Sequence, residues 1–190
     1  MPQSAIPLTG MLLLIAAACG QREQQGEVPN EPGVAANGFL GKVTYRYDPV
    51  LLTSANVQIA IPPHEEEEAY AVKLLPARGI EGSPDVCPGG AEACPVEVQP
   101  GLSLALLERP FDMYEQALRE SDLADGIETT TVAGTQGIAI DGGTEDGLEV
   151  EYRLVPVDNR ALLIKRQRDS QSPSEKDALE EVVASLDLGD

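Results

Sequence analysis

Leu148-Glu149-Val150-Glu151-Tyr152-Arg153-Leu154-Val155-Pro156-Val157-Asp158-Asn159-Arg160-Ala161-Leu162-Leu163-Ile164-Lys165 reads as two strands and the turn that joins them. Leu148, Val150, Tyr152 and Leu154 share one parity, while Glu149, Glu151 and Arg153 take the other. That alternation marks a strand with one face buried. Pro156 to Arg160 supplies the turn, and Ala161 to Lys165 the returning strand. Lys165 is expected to face Glu149 or Glu151 across the pair, a modest stabiliser. A helix follows. Ser172 can cap it, Pro173 suits the first helical position, and Glu175 completes a capping box. Leu179, Val182, Val183 and Leu186 fall on one helical stripe, which should lie flat on the sheet.

Outward from this unit the same two periods recur. Phe39, Val43, Tyr45 and Tyr47 share a parity and read as one strand over 39–47. Val57, Ile59 and Ile61 form another, ended by Pro62-Pro63. Tyr70, Val72 and Leu74 form a third, Val96 and Val98 a weak fourth, and Leu102, Leu104 and Leu106 a stronger one. Residues 111–123 switch to helical spacing, with Phe111, Tyr114 and Leu118 on one side. Asp112 and Glu115 have capping-box spacing at its start. Strands return at 127–133 and 136–141. Strands in series with two helices predict an α+β fold, an antiparallel sheet with helices packed on it. One such domain is expected over 39–190.

Composition bounds what this domain does. The chain has 190 residues, 13 Lys+Arg, 32 Asp+Glu and a formal net charge of −19. Phosphate backbones and anionic headgroups need concentrated cations, so nucleic acid is not an expected partner. With no Trp, two Phe and five Tyr, the chain is poor in platforms for stacking bases or sugars.

Residues 1–18 carry no charge, and Met11 to Ala18 are apolar throughout. Eight apolar residues are too short for a bilayer, which needs about 20, but match the hydrophobic region of an export signal. Ile15-Ala16-Ala17-Ala18-Cys19-Gly20 resembles the lipobox of bacterial lipoproteins. The resemblance implies a signal peptide over 1–18, a diacylglycerol thioether on Cys19, and cleavage before it. Ala16-Ala17-Ala18 also fits an ordinary secretory cleavage site at the same bond. Gly20 after the cysteine resembles lipoproteins sorted to the outer membrane, which implies its periplasmic face. The expected partner is then the lipid bilayer, through acylated Cys19, held stably by two or three acyl chains. Residues 21–37 are rich in Gln, Glu, Pro and Gly without apolar periodicity, so 19–38 is expected to be a lipidated N-terminus and flexible linker.

A second resemblance spans the domain. Helix 111–123, a strand into Val132-Ala133-Gly134, a strand at 136–141, the late hairpin, and a last helix ending in Ser185-Leu186 follow one another. This order resembles the PsbP-like sandwich, which includes DcrB-like envelope lipoproteins. It implies an α/β/α sandwich and an accessory or assembly role, with no catalytic residues to carry over.

The remaining candidates are chemical. Cys87-Pro-Gly-Gly-Ala-Glu-Ala-Cys94 can close a disulfide in an oxidising compartment, worth about 2.5 kcal/mol for so short a loop. Two free thiols are the alternative. The surrounding loop, 78–95, is long enough to serve as a binding loop. His64-Glu65-Glu66-Glu67-Glu68 reads as a solvated turn rather than a cation site. Asp141 to Gly147 reads as a hairpin loop rather than a calcium loop. Lys165-Arg166-Arg168 reads as surface ion pairs. No nucleophile-and-base set stands out, so no catalytic residue, metal or cofactor is expected. The expected function is a non-enzymatic, membrane-anchored envelope lipoprotein with a protein-binding or assembly-accessory domain. The alternative is a lipoprotein binding a small ligand or divalent cation.

Overall fold

The computed structural model describes residues 35–77, 99–168 and 173–189. The described elements are β1 (Ala36–Leu40), β2 (Val43–Tyr47), β3 (Leu52–Ile61), β4 (His64–Pro76), β5 (Gly101–Leu107), α1 (Phe111–Arg119), β6 (Ile127–Val132), β7 (Thr135–Glu145), β8 (Leu148–Val157), β9 (Arg160–Arg168) and α2 (Pro173–Ala184). β1 and β2 form a two-stranded ribbon. The other seven strands form one sheet in the order β3-β4-β5-β9-β8-β7-β6, antiparallel at every step. The chain is an α+β fold of the expected kind, a sheet with two helices packed on it.

The sheet is covered on both faces, and period two divides the cover. On β8, Val150, Tyr152 and Leu154 face one side, where they join Tyr114 and Leu118 of α1 in a single apolar cluster. Val57, Ile59 and Ile61 reach the same cluster from β3, and Ile127 packs against it from the opposite edge strand. The other face carries Val155, Val157, Leu162 and Ile164 against Leu179, Val182 and Leu186 of the α2 segment, with Val43 and Tyr45 of β2. The α2 stripe is therefore as the spacing predicts. β5 and β9, in the middle of the sheet, are buried along almost their whole lengths. That is the pattern of strands covered on both sides.

Tight turns set the registers. Ala133 and Gly134 have φ of +49° and +80°, and Asp146 and Gly147 have +49° and +85°. Two successive positive φ values make the hairpin turn whose twist matches its strands. The β7–β8 turn is thus Asp146-Gly147 alone, not a loop over 141–147. Most of that segment belongs to β7, with a bulge between Asp141 and Gly143.

Five further expectations change. The 39–47 segment is two strands, because Gly41 (φ +63°) turns the chain back. Leu40 then pairs with Val43 and Phe39 with Thr44, which leaves Phe39 69% exposed on the outside. β1 also begins at Ala36, inside the stretch assigned to the linker. His64 to Glu68 opens β4 and pairs with β3 rather than forming a turn. At α1 the side chain of Asp112 makes no capping bond; Pro110 occupies the cap position, and Glu115 pairs with Arg119 at 2.6 Å. The α1 helix stops at Arg119, and a 3-10 turn follows at Ala124–Gly126. The cap residue Ser172, the weak strand at Val96 and Val98, and the 78–95 loop lie largely or wholly outside the described residues.

Candidate functional site

The α1 face of the sheet is not apolar throughout: it also carries a row of polar side chains. Lys73 on β4 pairs with Ser103 on β5, Ser103 with Lys165 on β9, and Lys165 with Tyr152 on β8. Each step joins neighbouring strands, so the four side chains stand side by side. Gln167 stands two residues along β9, opposite Gly101.

This row is buried. Lys73 is 1% exposed and Lys165 7%, and Ser103, Gln167 and Tyr152 are similarly enclosed. An ammonium is taken out of water only where donors and acceptors replace it. The Lys165 Nζ donates to Glu145 Oε2 at 2.5 Å and lies 5.5 Å from the centre of the Tyr152 ring. The Tyr152 hydroxyl donates to the other carboxylate oxygen, Glu145 Oε1, at 2.6 Å. The Lys73 Nζ donates to Gln167 Oε1 at 2.6 Å. Ser103 Oγ is the exception: it is buried with no hydrogen-bond partner among the described residues.

Glu145 shows the balance of forces. Partial burial works to raise its pKa. The hydrogen bonds from Lys165 and Tyr152, with the charges of Lys165 and Lys73, outweigh that and hold it below the ordinary glutamate value. The carboxylate therefore stays ionised as the counter-charge of Lys165.

Two glycines make room for the row. A Cβ on Gly101 would lie 2.5 Å from the Leu74 carbonyl oxygen and 3.1 Å from Lys73 Cε. A Cβ on Gly142 would lie 2.6 Å from the Tyr152 ring.

A concavity of about 420 Å³ lies between the β2–β3 turn and α2, lined by Arg46, Tyr47, Asp48, Leu51, Glu181 and Ser185 among others. The chain after α2 closes one side of it. Ser185 Oγ accepts from the Arg46 N–H at 2.8 Å, and Thr44 and Asp187 exchange two backbone bonds of 2.9 Å. Beneath, burial together with the neighbouring Tyr47 pushes the Tyr45 phenol up to about 12.

Of the residues singled out in the sequence, Cys19, Cys87 and Cys94 lie outside the described residues. His64 is exposed at the start of β4, and Glu67 there pairs with Arg109 at 3.1 Å. Lys165, Arg166 and Arg168 do make ion pairs, but Lys165 and Arg166 make them buried. Arg166 reaches Glu180 of α2 at 3.2 Å. Lys165 does not meet Glu149 or Glu151. The β8–β9 turn is only two residues, Asp158 and Asn159, so Glu151 pairs with Arg166 and sits on the other face. Lys73, Ser103 and Gln167 were not anticipated. Their signal was present: Lys73 interrupts Ala71-Val72-Lys73-Leu74-Leu75, and Ser103 interrupts Leu102-Ser103-Leu104. A polar residue inside a run buried on both faces needs a partner.

Among the described residues no three His, Cys, Asp or Glu side chains come together in a way that could hold a metal ion. No described helix is long and apolar enough to cross a membrane. No protein-family model matches the chain, and no curated protein matches it.

Proposed function

We propose that the protein is a bacterial envelope lipoprotein, held by acylated Cys19 on the periplasmic face of the outer membrane, whose domain binds another protein and is not an enzyme. The observation that carries this reading is the run Ile15-Ala16-Ala17-Ala18-Cys19-Gly20, followed by a linker composition up to the start of β1. A PsbP-like sandwich is the finer fold reading. Its support is that α1 and α2 lie on opposite faces of one antiparallel sheet. A disulfide between Cys87 and Cys94 belongs to the same picture of an oxidising compartment.

The test is fractionation with crosslinking in intact cells. The unmodified chain is expected in the membrane fraction with one dominant envelope partner, and Cys19→Ser in the soluble fraction. A Cys19→Ser chain that still partitions wholly with membranes would sink the anchor. Alkylation of both Cys87 and Cys94 under non-reducing conditions would reject the disulfide.

A second reading, small-ligand binding, is favoured by one observation. The buried hydroxyl of Ser103, between Lys73 and Lys165, is a donor and acceptor without a partner among the described residues. A melting screen with candidate metabolites tests it, because a ligand at a hundred times its dissociation constant stabilises by about 2.7 kcal/mol.

A further inference from the structure

The two edges of the seven-stranded sheet are unlike. β6, at one edge, has six residues and carries Glu128. β3, at the other, has ten: Leu52-Thr-Ser-Ala-Asn-Val-Gln-Ile-Ala-Ile61. β3 holds no charge and no proline, in a chain whose residues are 24% charged. Among the described residues β4 alone pairs with it, so its outer row of N–H and C=O groups has no strand beside it. Short strands, lysines and prolines are the usual means of blunting such an edge, and β3 has none of them.

Two further observations bear on the same place. Val57, Ile59 and Ile61 anchor β3 in the α1 core, so the edge is rigid before anything docks. Ser54, Asn56 and Gln58 point the other way and are exposed. Of the five large apolar side chains exposed among the described residues, three stand here. Val50 and Leu51 lead into β3, and Tyr70, 81% exposed, lies opposite Gln58 on β4.

Acidic side chains flank the edge, and one of them, Glu67, is already paired with Arg109. Glu66 and Glu68 are exposed on β4 at one end, and Glu68 pairs with Ala60. Asp48 precedes the other end. Lys73, opposite Ala55, is buried on the α1 face and adds no cation to the rim. A second copy, with a net charge of −19, would meet like charge.

We propose that β3 is the docking edge for an extended segment of a partner protein, which adds as a strand beside Leu52–Ile61 and places Lys or Arg against Glu66 and Glu68. Backbone bonds supply the affinity, and the acidic end sets the direction and choice of segment. The inference rests on the protein-binding reading above.

The test is hydrogen exchange on the full chain, with a synthetic peptide of alternating Val and Thr bearing two Lys at one end. In the free chain, those amides of 52–61 that do not bond to β4 should exchange fast. The peptide should slow them by about tenfold or more. Methylating the peptide amides that face β3, or replacing its Lys with Glu, should abolish that protection. Uniform slow exchange in the free chain overturns the proposal. So does protection that rises with chain concentration alone, which assigns the edge to a second copy. Equal protection by the methylated peptide also overturns it.

Crosslinking in cells with Asn56→Pro, and with Asn56→Lys where the proline variant fails to fold, separates this proposal from the reading beneath it. Capture of the partner by the unmodified chain, lost in the variant, supports the edge. Equal capture overturns the edge and leaves protein binding standing. Absence of any partner overturns protein binding and the edge with it.

Discussion

The two faces of the sheet are buried to similar degrees by different means. The α2 face is closed by aliphatic side chains from β8, β9, the α2 segment and β2, together with Tyr45, and Arg166 reaches out at its margin to Glu180. The α1 face is closed by aliphatic and aromatic side chains at one end and by Lys73, Ser103, Lys165, Gln167 and Tyr152 at the other. Apolar packing tolerates exchange of shape for shape, whereas a polar row works only in one register. The α2 face therefore tolerates apolar exchange more readily. The α1 face says which residue stands opposite which.

The sharpest way to break the contrast is Leu179→Asp. It puts an unpaired carboxylate into the α2 face and should cost on the order of 3 kcal/mol or more in denaturant unfolding. An undiminished variant would mean that α2 does not carry that face. Gly101→Ala comes next, at about 1–3 kcal/mol, because its Cβ meets backbone at the Leu74 carbonyl and cannot push it aside. Lys165→Met should cost about 1–2 kcal/mol. Its partner Glu145 is 40% exposed, so water takes over part of the lost bond. An unchanged unfolding midpoint would deny the pair any role.

The same pair gives a pH signature. Glu145 is held below the ordinary glutamate value in the folded chain. Its contribution is complete above the unfolded value and disappears as pH falls through the folded one. Unfolding midpoints of the unmodified chain and Glu145→Gln should differ at neutral pH and converge in acid. A difference that persists undiminished in acid would contradict the ionised pair. Ser103→Ala should have the smallest effect, within about 0.5 kcal/mol either way, because its hydroxyl has no partner to lose. A clear loss on that substitution would show that the hydroxyl has a partner within the chain, and would remove the support for the small-ligand reading.

Much of the sheet was legible because its strands alternate. Leu148 to Lys165 gave its hairpin, and Leu179 to Leu186 its helix stripe, from period alone. The errors came from turns. A two-residue turn decides which parity of one strand faces which parity of the next, and parity within a strand is blind to it. Gly41-Lys42 therefore put Phe39 outside, and Asp158-Asn159 moved Lys165 away from Glu149 and Glu151. Asp146-Gly147 carried the information in its residue types, since Asp-Gly favours the hairpin turn. The polar row was less legible because its members come from four strands far apart in sequence. Only the interruptions at Lys73 and Ser103 marked it.

The backbone exchange between Thr44 and Asp187 brings the end of the described chain alongside the strand that pairs with its beginning. Ala36 stands beside Tyr47, and Gly189 packs near Lys42, at the two ends of β2. Five strand residues cover roughly 17 Å. A linker of about six residues could therefore join the two ends. New termini could then be cut at the Asp158-Asn159 turn without removing any strand pairing. The described domain is thus topologically suited to circular permutation, which would place its N-terminus at the β8–β9 hairpin turn.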